Sequence, residues 1–145
     1  VVRRLRLAER LLTDVLKLDL PKVYDEACKM EHVISDEVEA RLDAVLGHPG
    51  TCPHGLPIPG GDEAGAGRAE ATRALTDLSP GQKVTIASVP EEDRALLEYL
   101  VPQGLIPGAH VELEGVAPFN GPLTLRVGRS SHAIGREVAG RIRVR

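Results

Sequence analysis

A run rich in glycine and proline, GHPGTCPHGLPIPGG at residues 47–61, separates two parts of the chain that have different patterns. Nine of its fifteen residues are Gly or Pro. Because Pro lacks a backbone donor and restricts φ, the run cannot be a helix interior or a central strand, and it predicts a defined path of turns. Cys52 and His54 lie within it. They are either ligands held by a stiff loop, or a buried thiol and a solvated imidazole in a connector.

Three amphipathic helices are predicted before this loop. The first covers residues 2–16, with Leu5, Ala8, Leu12 and Val15 on one apolar face. Asp19 and Pro21 indicate the start of a second helix, because Pro is well tolerated in a first turn, and this helix carries KVYDEACKMEHVI. Ser35 or Asp36 caps a third helix that closes at Gly47. So thin a core predicts pairing with a second copy or with further sequence.

A small, polar stretch follows the loop, and strand patterns follow that stretch. GDEAGAGRAEATRALTDLSPG is typical of a linker between domains. KVTIASV, HVELEGV, PLTLRV and AGRIRV are predicted strands, and EEDRALLEYLVPQ is a predicted helix. This spacing predicts a small, partly open β-barrel. The fold class is therefore α+β, with a helical domain at residues 1–60, a linker at 61–77 and a barrel domain at 78–145.

Composition excludes several classes of function. Aromatic residues are restricted to Tyr24, Tyr99 and Phe119, so the core must be aliphatic and no set of side chains can stack on nucleic-acid bases. The net charge of -3 argues against autonomous binding to a phosphate backbone. Two cysteines make no disulfide framework, and without an export leader or a long apolar run the expected location is the cytoplasm. The start at Val1, inside a helical pattern, suggests a fragment.

Two groups of residues carry metal-binding chemistry. Cys28, Glu31 and His32 lie at positions i, i+3 and i+4 of the second helix, so they share a face and offer a mixed S/O/N set. The alternative is a core cysteine flanked by two surface residues. Cys52 and His54 can chelate, but no motif for a catalytic nucleophile, phosphate loop or metalloprotease is present, so the sequence does not predict an enzyme. Oxygen donors available elsewhere are Glu9, Glu91, Glu92 and Asp93.

These motifs resemble a known family over nearly the whole chain. RLAERLLTDVLKLDLPKVYDEACKMEHVISDEVEARL, followed by HPGTCPHGLPIPG, is similar to the metal-binding dimerisation domain of the diphtheria toxin repressor family. LSPGQKVTIASV and LLEYLVPQGLIPGAHVEL resemble the C-terminal SH3-like domain of that family, which is related to FeoA. The family's N-terminal winged helix-turn-helix domain has no counterpart in these residues.

The resemblance implies two metal sites. Cys28, Glu31 and His32 match the site coupled to DNA binding, whose further ligand belongs to the winged-helix domain. Leu5 and Tyr24 stand where the toxin-repressor subfamily has the histidines of its second site, which puts that version in doubt. The manganese-responsive streptococcal branch instead implies Glu9, Cys52, His54 and Asp93, with Asp93 placed by ungapped alignment and Glu91 the alternative if the alignment slips by two.

The function implied is that of a metal-dependent transcriptional repressor, acting as a homodimer that senses Mn²⁺ or Fe²⁺, with Zn²⁺ able to bind in vitro. Metal binding would favour one arrangement of two DNA-binding domains and so raise the affinity for operator DNA, which this chain would reach only through the winged-helix domain. Two alternatives are an accessory protein of metal transport related to FeoA and a dimer stabilised by structural zinc. No membrane partner is expected.

Overall fold

A computed structural model of the chain describes residues 2–59 and 72–145. They form two compact units, one of residues 2–59 with 91–94 and the other of residues 72–90 with 95–145. The predicted linker, residues 61–77, lies outside the described residues up to 71, and residues 72–77 lie in the second unit.

The first unit contains the three predicted helices. Helix α1 covers Val2–Arg10 and continues as a wider π-helical turn over Leu11–Val15. Helix α2 covers Leu20–Glu31 and α3 covers Asp36–Val45. The prediction that α2 continues to Ile34 was wrong, because the backbone N–H of Val33 bonds back to Met30 in a tight turn instead of extending the helix.

The π-helical turn changes which residues face the core. Leu5, Ala8 and Leu12 are buried as predicted, but Val15 is 54% exposed. The backbone N–H of Leu16 bonds to the carbonyl of Leu11 at 3.2 Å, five residues back, and this wider turn rotates the following side chains away from the face that an α-helix would present.

The ends of the helices follow their sequence signals. Ser35 caps α3, and its hydroxyl accepts a hydrogen bond from the Val38 backbone N–H at 3.2 Å. Gly47 follows α3 with φ of +78°, a left-handed conformation that Gly adopts without strain. Asp19 precedes α2, with Pro21 in the first turn.

Two clusters of aliphatic side chains hold the first unit together. One packs α1 against α2, and its buried members are Leu5, Ala8, Leu12, Val23, Ala27 and Ile34. The other joins the opposite side of α1 to the Gly/Pro loop through Leu7, Cys52 and Ile58. Because α1 packs on both sides, it lies beneath the loop and sets the position of the loop residues.

The second unit is an antiparallel sheet with two short helices and 3₁₀ turns. Its described strands are β1 Arg73–Ala74, β2 Lys83–Ser88, β3 His110–Val116, β4 Leu123–Val127, β5 Ser130–Ile134 and β6 Arg143–Val144. They are ordered β1-β6-β2-β3-β4-β5. Every pairing is antiparallel, and register shifts in β2 and β3 interrupt the ladders. Such irregularities bend and twist a sheet, as a small barrel requires.

One of the two helices lies between β2 and β3, and the other lies between β5 and β6. Helix α4 covers Arg94–Leu100 within the predicted helical run, and α5 covers Arg136–Ala139. Strands β1 and β5 and helix α5 were not predicted. The core is aliphatic as expected, since Phe119 is 99% exposed and Tyr99 is 45% exposed. Among the described residues, no helix is both long and apolar enough to cross a membrane.

Candidate metal centre

The Gly/Pro loop folds back on itself as a tight turn. The backbone N–H of Cys52 bonds to the carbonyl of Leu56 at 2.8 Å, and the N–H of Gly55 bonds to the carbonyl of Cys52 at 2.9 Å. Thr51 and Pro57 form a β-bridge at the base of the turn. Gly55 has φ of +85°, which closes the turn and directs the side chains of Cys52 and His54 into the first unit. The turn-rich path predicted from the sequence is therefore confirmed.

Four side chains that can bind a metal meet beneath this turn. Glu9, Cys52, His54 and Glu91 each offer a donor atom, and these atoms all lie within 4.8 Å of one another. Glu9 and His54 have no exposed surface, and Cys52 is 1% exposed. Helix α1 supplies Glu9, the loop supplies the thiol and the imidazole, and Glu91 belongs to the 91–94 segment of the same unit.

The distances match donors that share one ion. Nδ1 of His54 lies 3.0 Å from Oε2 of Glu9 and 3.8 Å from Sγ of Cys52. Donor atoms about 2.1 Å from one ion lie about 3 Å apart when their bonds meet at right angles, and a longer metal–sulfur bond widens the spacing. The geometry therefore fits a common cation.

Unbonded polar atoms inside the group support the same interpretation. Among the described residues, both carboxylate oxygens of Glu9, Nε2 of His54 and one oxygen of Glu91 are buried and have no hydrogen-bond partner. The short contact between Glu9 and His54 thus lacks hydrogen-bond geometry. Burying such atoms without partners costs free energy, and a cation bound through Nδ1 of His54 would satisfy the carboxylate lone pairs of Glu9 and Glu91.

Burial also shifts the protonation of the donors. It raises the pKa of the Cys52 thiol to about 12, with the Glu9 carboxylate adding to the effect. Burial and the neighbouring Glu9 raise the pKa of Glu91, while the Arg6 guanidinium opposes that shift. Without an ion the thiol is protonated at neutral pH. A metal ligated by sulfur must displace that proton, because the thiolate is the ligand.

Two arginines of α1, which were not predicted from the sequence, bind the backbone of the loop around the donor group. Arg6 donates to the carbonyl of Pro57, and its guanidinium lies 3.5 Å from Oε1 of Glu91. Arg10 donates to the carbonyl of Thr51 at 2.7 Å and to that of Cys52 at 3.3 Å. Their positions in the sequence could have indicated this role, because Arg6 and Arg10 lie one helical turn apart and on either side of Glu9 in RLAER.

Of the two acidic residues that the resemblance left open, Asp93 and its alternative Glu91, the structure brings Glu91 close to the loop donors. Glu91, two residues earlier, joins the donor group, and Asp93 is not among its members. Asp93 instead directly precedes α4, a position where Asp commonly caps a helix. The bend at residues 91–92 determines which of these acidic side chains faces the loop, and spacing in a sequence does not encode that direction.

The side chains of the other predicted metal site, on helix α2, lie farther apart than those of the first group. Among the described residues, the donor atoms of Cys28, Glu31 and His32 do not all lie within 4.8 Å of one another, as those of the first group do. Nε2 of His32 lies 3.8 Å from Oε1 of Glu31, and the His32 side chain is 77% exposed because α2 ends at Glu31. The Tyr24 hydroxyl donates a hydrogen bond to the Cys28 sulfur, which raises the pKa of Tyr24 to about 12, while burial raises the pKa of Cys28.

One feature of this second group still points to a ligand. Oε2 of Glu31 is buried and has no hydrogen-bond partner in the described part of the chain. The residue lines a cavity of about 410 Å³ together with Arg4, His32 and Glu39. The cavity offers room for an ion and water beside the two donors, but the thiol of Cys28 is engaged by Tyr24.

Comparison with known proteins agrees with both units. Residues 1–60 match the domain family described as "Iron dependent repressor, metal binding and dimerisation domain", and residues 73–145 match the FeoA domain. The diphtheria toxin repressor of Corynebacterium diphtheriae is 51% identical over 96 residues, which cover 63% of this chain and 42% of the relative.

Two longer matches cover nearly the whole chain. The iron-dependent repressor IdeR of Mycobacterium tuberculosis is 38% identical over 155 aligned positions, covering 99% of this chain and 66% of IdeR. The solved structure of a manganese-dependent transcriptional repressor in complex with manganese superposes with a TM-score of 0.86 at 30% identity. That alignment covers 99% of this chain and 68% of the other.

The matches define a class of protein in which a helical metal-binding and dimerisation domain precedes an SH3-like FeoA domain. The chain belongs to the diphtheria toxin repressor family of iron- and manganese-dependent repressors. The family resemblance and the α+β fold inferred from the sequence are confirmed. The chain spans 42% of the diphtheria toxin repressor and 66% of IdeR.

Proposed function

We propose that this chain is the metal-sensing and dimerising part of a transcriptional repressor that acts in the cytoplasm as a homodimer. Its role is regulatory and not enzymatic. The buried group of Glu9, Cys52, His54 and Glu91 carries the proposal, because four donors converge there with unbonded lone pairs. Operator DNA is the partner whose binding the ion would control, through a winged-helix domain that these residues do not contain.

The donor set narrows the choice of ion to first-row divalent metals. Two carboxylates and an imidazole suit Mn²⁺, while the thiolate of Cys52 shifts the preference toward Fe²⁺ or, in vitro, Zn²⁺. When bound, the ion supplies the positive charge that these buried lone pairs lack. The residues themselves have separate tasks: α1 holds Glu9 rigidly, the loop turn holds Cys52 and His54, and the 91–94 segment presents Glu91.

Cys28, Glu31 and His32 are proposed as a second, partial site. The buried oxygen of Glu31 and the adjoining cavity support it, whereas the exposure of His32 and the hydrogen bond that Tyr24 donates to Cys28 indicate that it is not preorganised. Because preorganised donors bind more tightly, an ion should bind this site more weakly than the group at Glu9.

Metal titration tests the assignment. Cys52→Ala and His54→Ala should each weaken Mn²⁺ binding by about tenfold or more, since even groups outside the coordination shell matter on that scale. His110→Ala is the control, because His110 is exposed and bonds to Thr85 in the other unit. Isothermal titration calorimetry measures the affinities, and unchanged Mn²⁺ binding in both loop variants would leave the loop as a connector.

A further inference from the structure

Arg6 is a cationic side chain placed against the metal donors. Its guanidinium lies 3.5 Å from Oε1 of Glu91, and both side chains are largely buried, with 16% and 13% of their surface exposed. Arg6 also donates to the carbonyl of Pro57 at the base of the loop turn. The guanidinium remains charged at any pH that a protein tolerates, so the group always includes this positive charge.

Charge balance shows what this arginine does for the group. With an ion bound, Glu9, Glu91 and the Cys52 thiolate contribute three negative charges, and His54 as a neutral ligand contributes none. A divalent cation and Arg6 together contribute three positive charges, so the complete group is neutral. Neutrality matters here because burying net charge away from water is costly.

Without the ion, Arg6 has a different effect. Arg6 is then left to balance the carboxylate of Glu91, which its guanidinium contacts at 3.5 Å. Arg6 thus stabilises the metal-free state through an ion pair. When a cation binds, Arg6 repels it, because the cation and Arg6 must then share the carboxylate of Glu91.

We propose that Arg6 is a resident competitor of the metal ion, a positioning residue that partly occupies Glu91 and thereby limits the affinity of the site for a divalent cation. This inference rests on the proposed function. A sensor must release its ion when the concentration falls, and a fixed positive charge against one of the donors favours that release. Because it pairs with Glu91 in the empty site and repels the cation in the filled one, the arginine stabilises the empty site more than the filled site.

Cobalt binding in a Cys28→Ser background tests the proposal. Because Cys52 is then the remaining cysteine of the chain, a thiolate-to-Co²⁺ absorption band reports this site alone. Arg6→Gln should bind Co²⁺ at least tenfold more tightly in chelator competition, since a unit charge at this distance changes ionic equilibria by one or more powers of ten. Its metal-free form should melt at a lower temperature. Arg6→Lys, which keeps the charge, should remain close to the parent protein.

Arg10→Gln is the matched control. Arg10 comes from the same helix and binds the same loop, but within the described residues it contacts backbone carbonyls, the Thr51 hydroxyl and the Asp14 carboxylate, and none of the four donor side chains. Its loss should therefore weaken Co²⁺ binding by loosening the loop. Arg6→Met, whose side chain is unbranched and uncharged, replaces Arg6→Gln in the measurement if the glutamine variant does not fold.

The outcomes distinguish a failure of the proposed role of Arg6 from a failure of the proposed metal site. A thiolate band that is present in the parent, with equal or weaker Co²⁺ binding after the charge of Arg6 is removed, would overturn the role of Arg6 and leave the proposed function intact. Absence of the band in the Cys28→Ser parent would overturn the proposed site and this inference together.

Discussion

Glu9 is a carboxylate with no exposed surface, and within the described residues neither of its oxygens has a hydrogen bond. A helix interior that only needed to pack would place an aliphatic residue there, as α1 does at Leu5 and Ala8. The group is held in place by its neighbours, since Arg6 and Arg10 bind the loop that covers it. Glu9 is therefore suited to binding a ligand and contributes little to packing stability.

Replacing Glu9 by Gln should remove most of the thermal stabilisation that metal provides. At an Mn²⁺ concentration of about 100 times Kd, binding stabilises a protein by about 2.7 kcal/mol, which raises the Tm of a small domain on the order of 10 °C. Glu9→Gln loses a charged donor, so its Tm should rise by much less. Differential scanning calorimetry with and without Mn²⁺ measures the difference.

Glu26→Gln is the control for this experiment, because Glu26 is on the surface of α2 and pairs with Lys29. Its metal-dependent rise in Tm should equal that of the parent. An equal rise in Glu9→Gln would contradict the site. The metal-free parent should still melt cooperatively, whereas a dimer built on structural zinc would unfold when a chelator removes the ion.

At the scale of elements, α1 organises the first unit. One of its sides packs on α2, and the other packs on the loop through Leu7. Its basic residues also reach α3, since Arg3 lies 2.9 Å and Arg4 lies 3.1 Å from the Glu39 carboxylate. Arg4 further donates to the carbonyl of Ile34, next to the start of α3. The start of α3 is thus attached to the helix that carries Glu9.

Ser35→Ala should destabilise the protein by about 1 kcal/mol, because it removes the side-chain cap from the Val38 N–H. Ser35→Asp should preserve the stability, since Asp accepts the same bond and its charge is favourable at a helix N-terminus. Urea unfolding followed by far-ultraviolet circular dichroism measures both variants. Equal midpoints for Ser35→Ala and the parent would show that contacts with α1 make the cap dispensable.

At the scale of the whole molecule, the first unit exposes more apolar surface than a monomer needs. Val33 is 81% exposed, Val45 is 75% exposed and Leu16 is 61% exposed. Such side chains on a small helical unit indicate a surface that a second copy covers, as the matched dimerisation domain implies. A symmetric homodimer formed through the helical unit is therefore expected.

Sedimentation equilibrium at tens of micromolar protein should show a dimer, and Val33→Glu should shift it toward monomer because a buried unpaired charge is costly. Phe119→Ser is the control, because Phe119 is 99% exposed but lies in the other unit. A monomeric parent would contradict the dimer. Dissociation by Phe119→Ser, with Val33→Glu still dimeric, would assign the interface to the second unit.

Local patterns predicted most of the elements. Apolar spacing and capping residues predicted the three helices, and strand patterns predicted β2, β3, β4 and, at the end of AGRIRV, β6. These signals act over one or two turns or between strand neighbours. Strands β1 and β5 were not predicted. Strand β1 has only two residues, and the polar sequence SSHAI of β5 has little local preference for a strand. The π-helical turn was not predicted either, and it is the reason that Val15 faces outward.

By itself, the sequence determined the stiffness of the loop, the candidate donors Glu9, Cys52 and His54, and the family. Only the tertiary structure decided that Glu91 and not Asp93 completes the donor group, and that Arg6 lies against it. The reason is physical. Whether a residue can donate is a property of its own chemistry, but which of several neighbouring side chains enters a buried site depends on backbone direction and on partners far away in the chain.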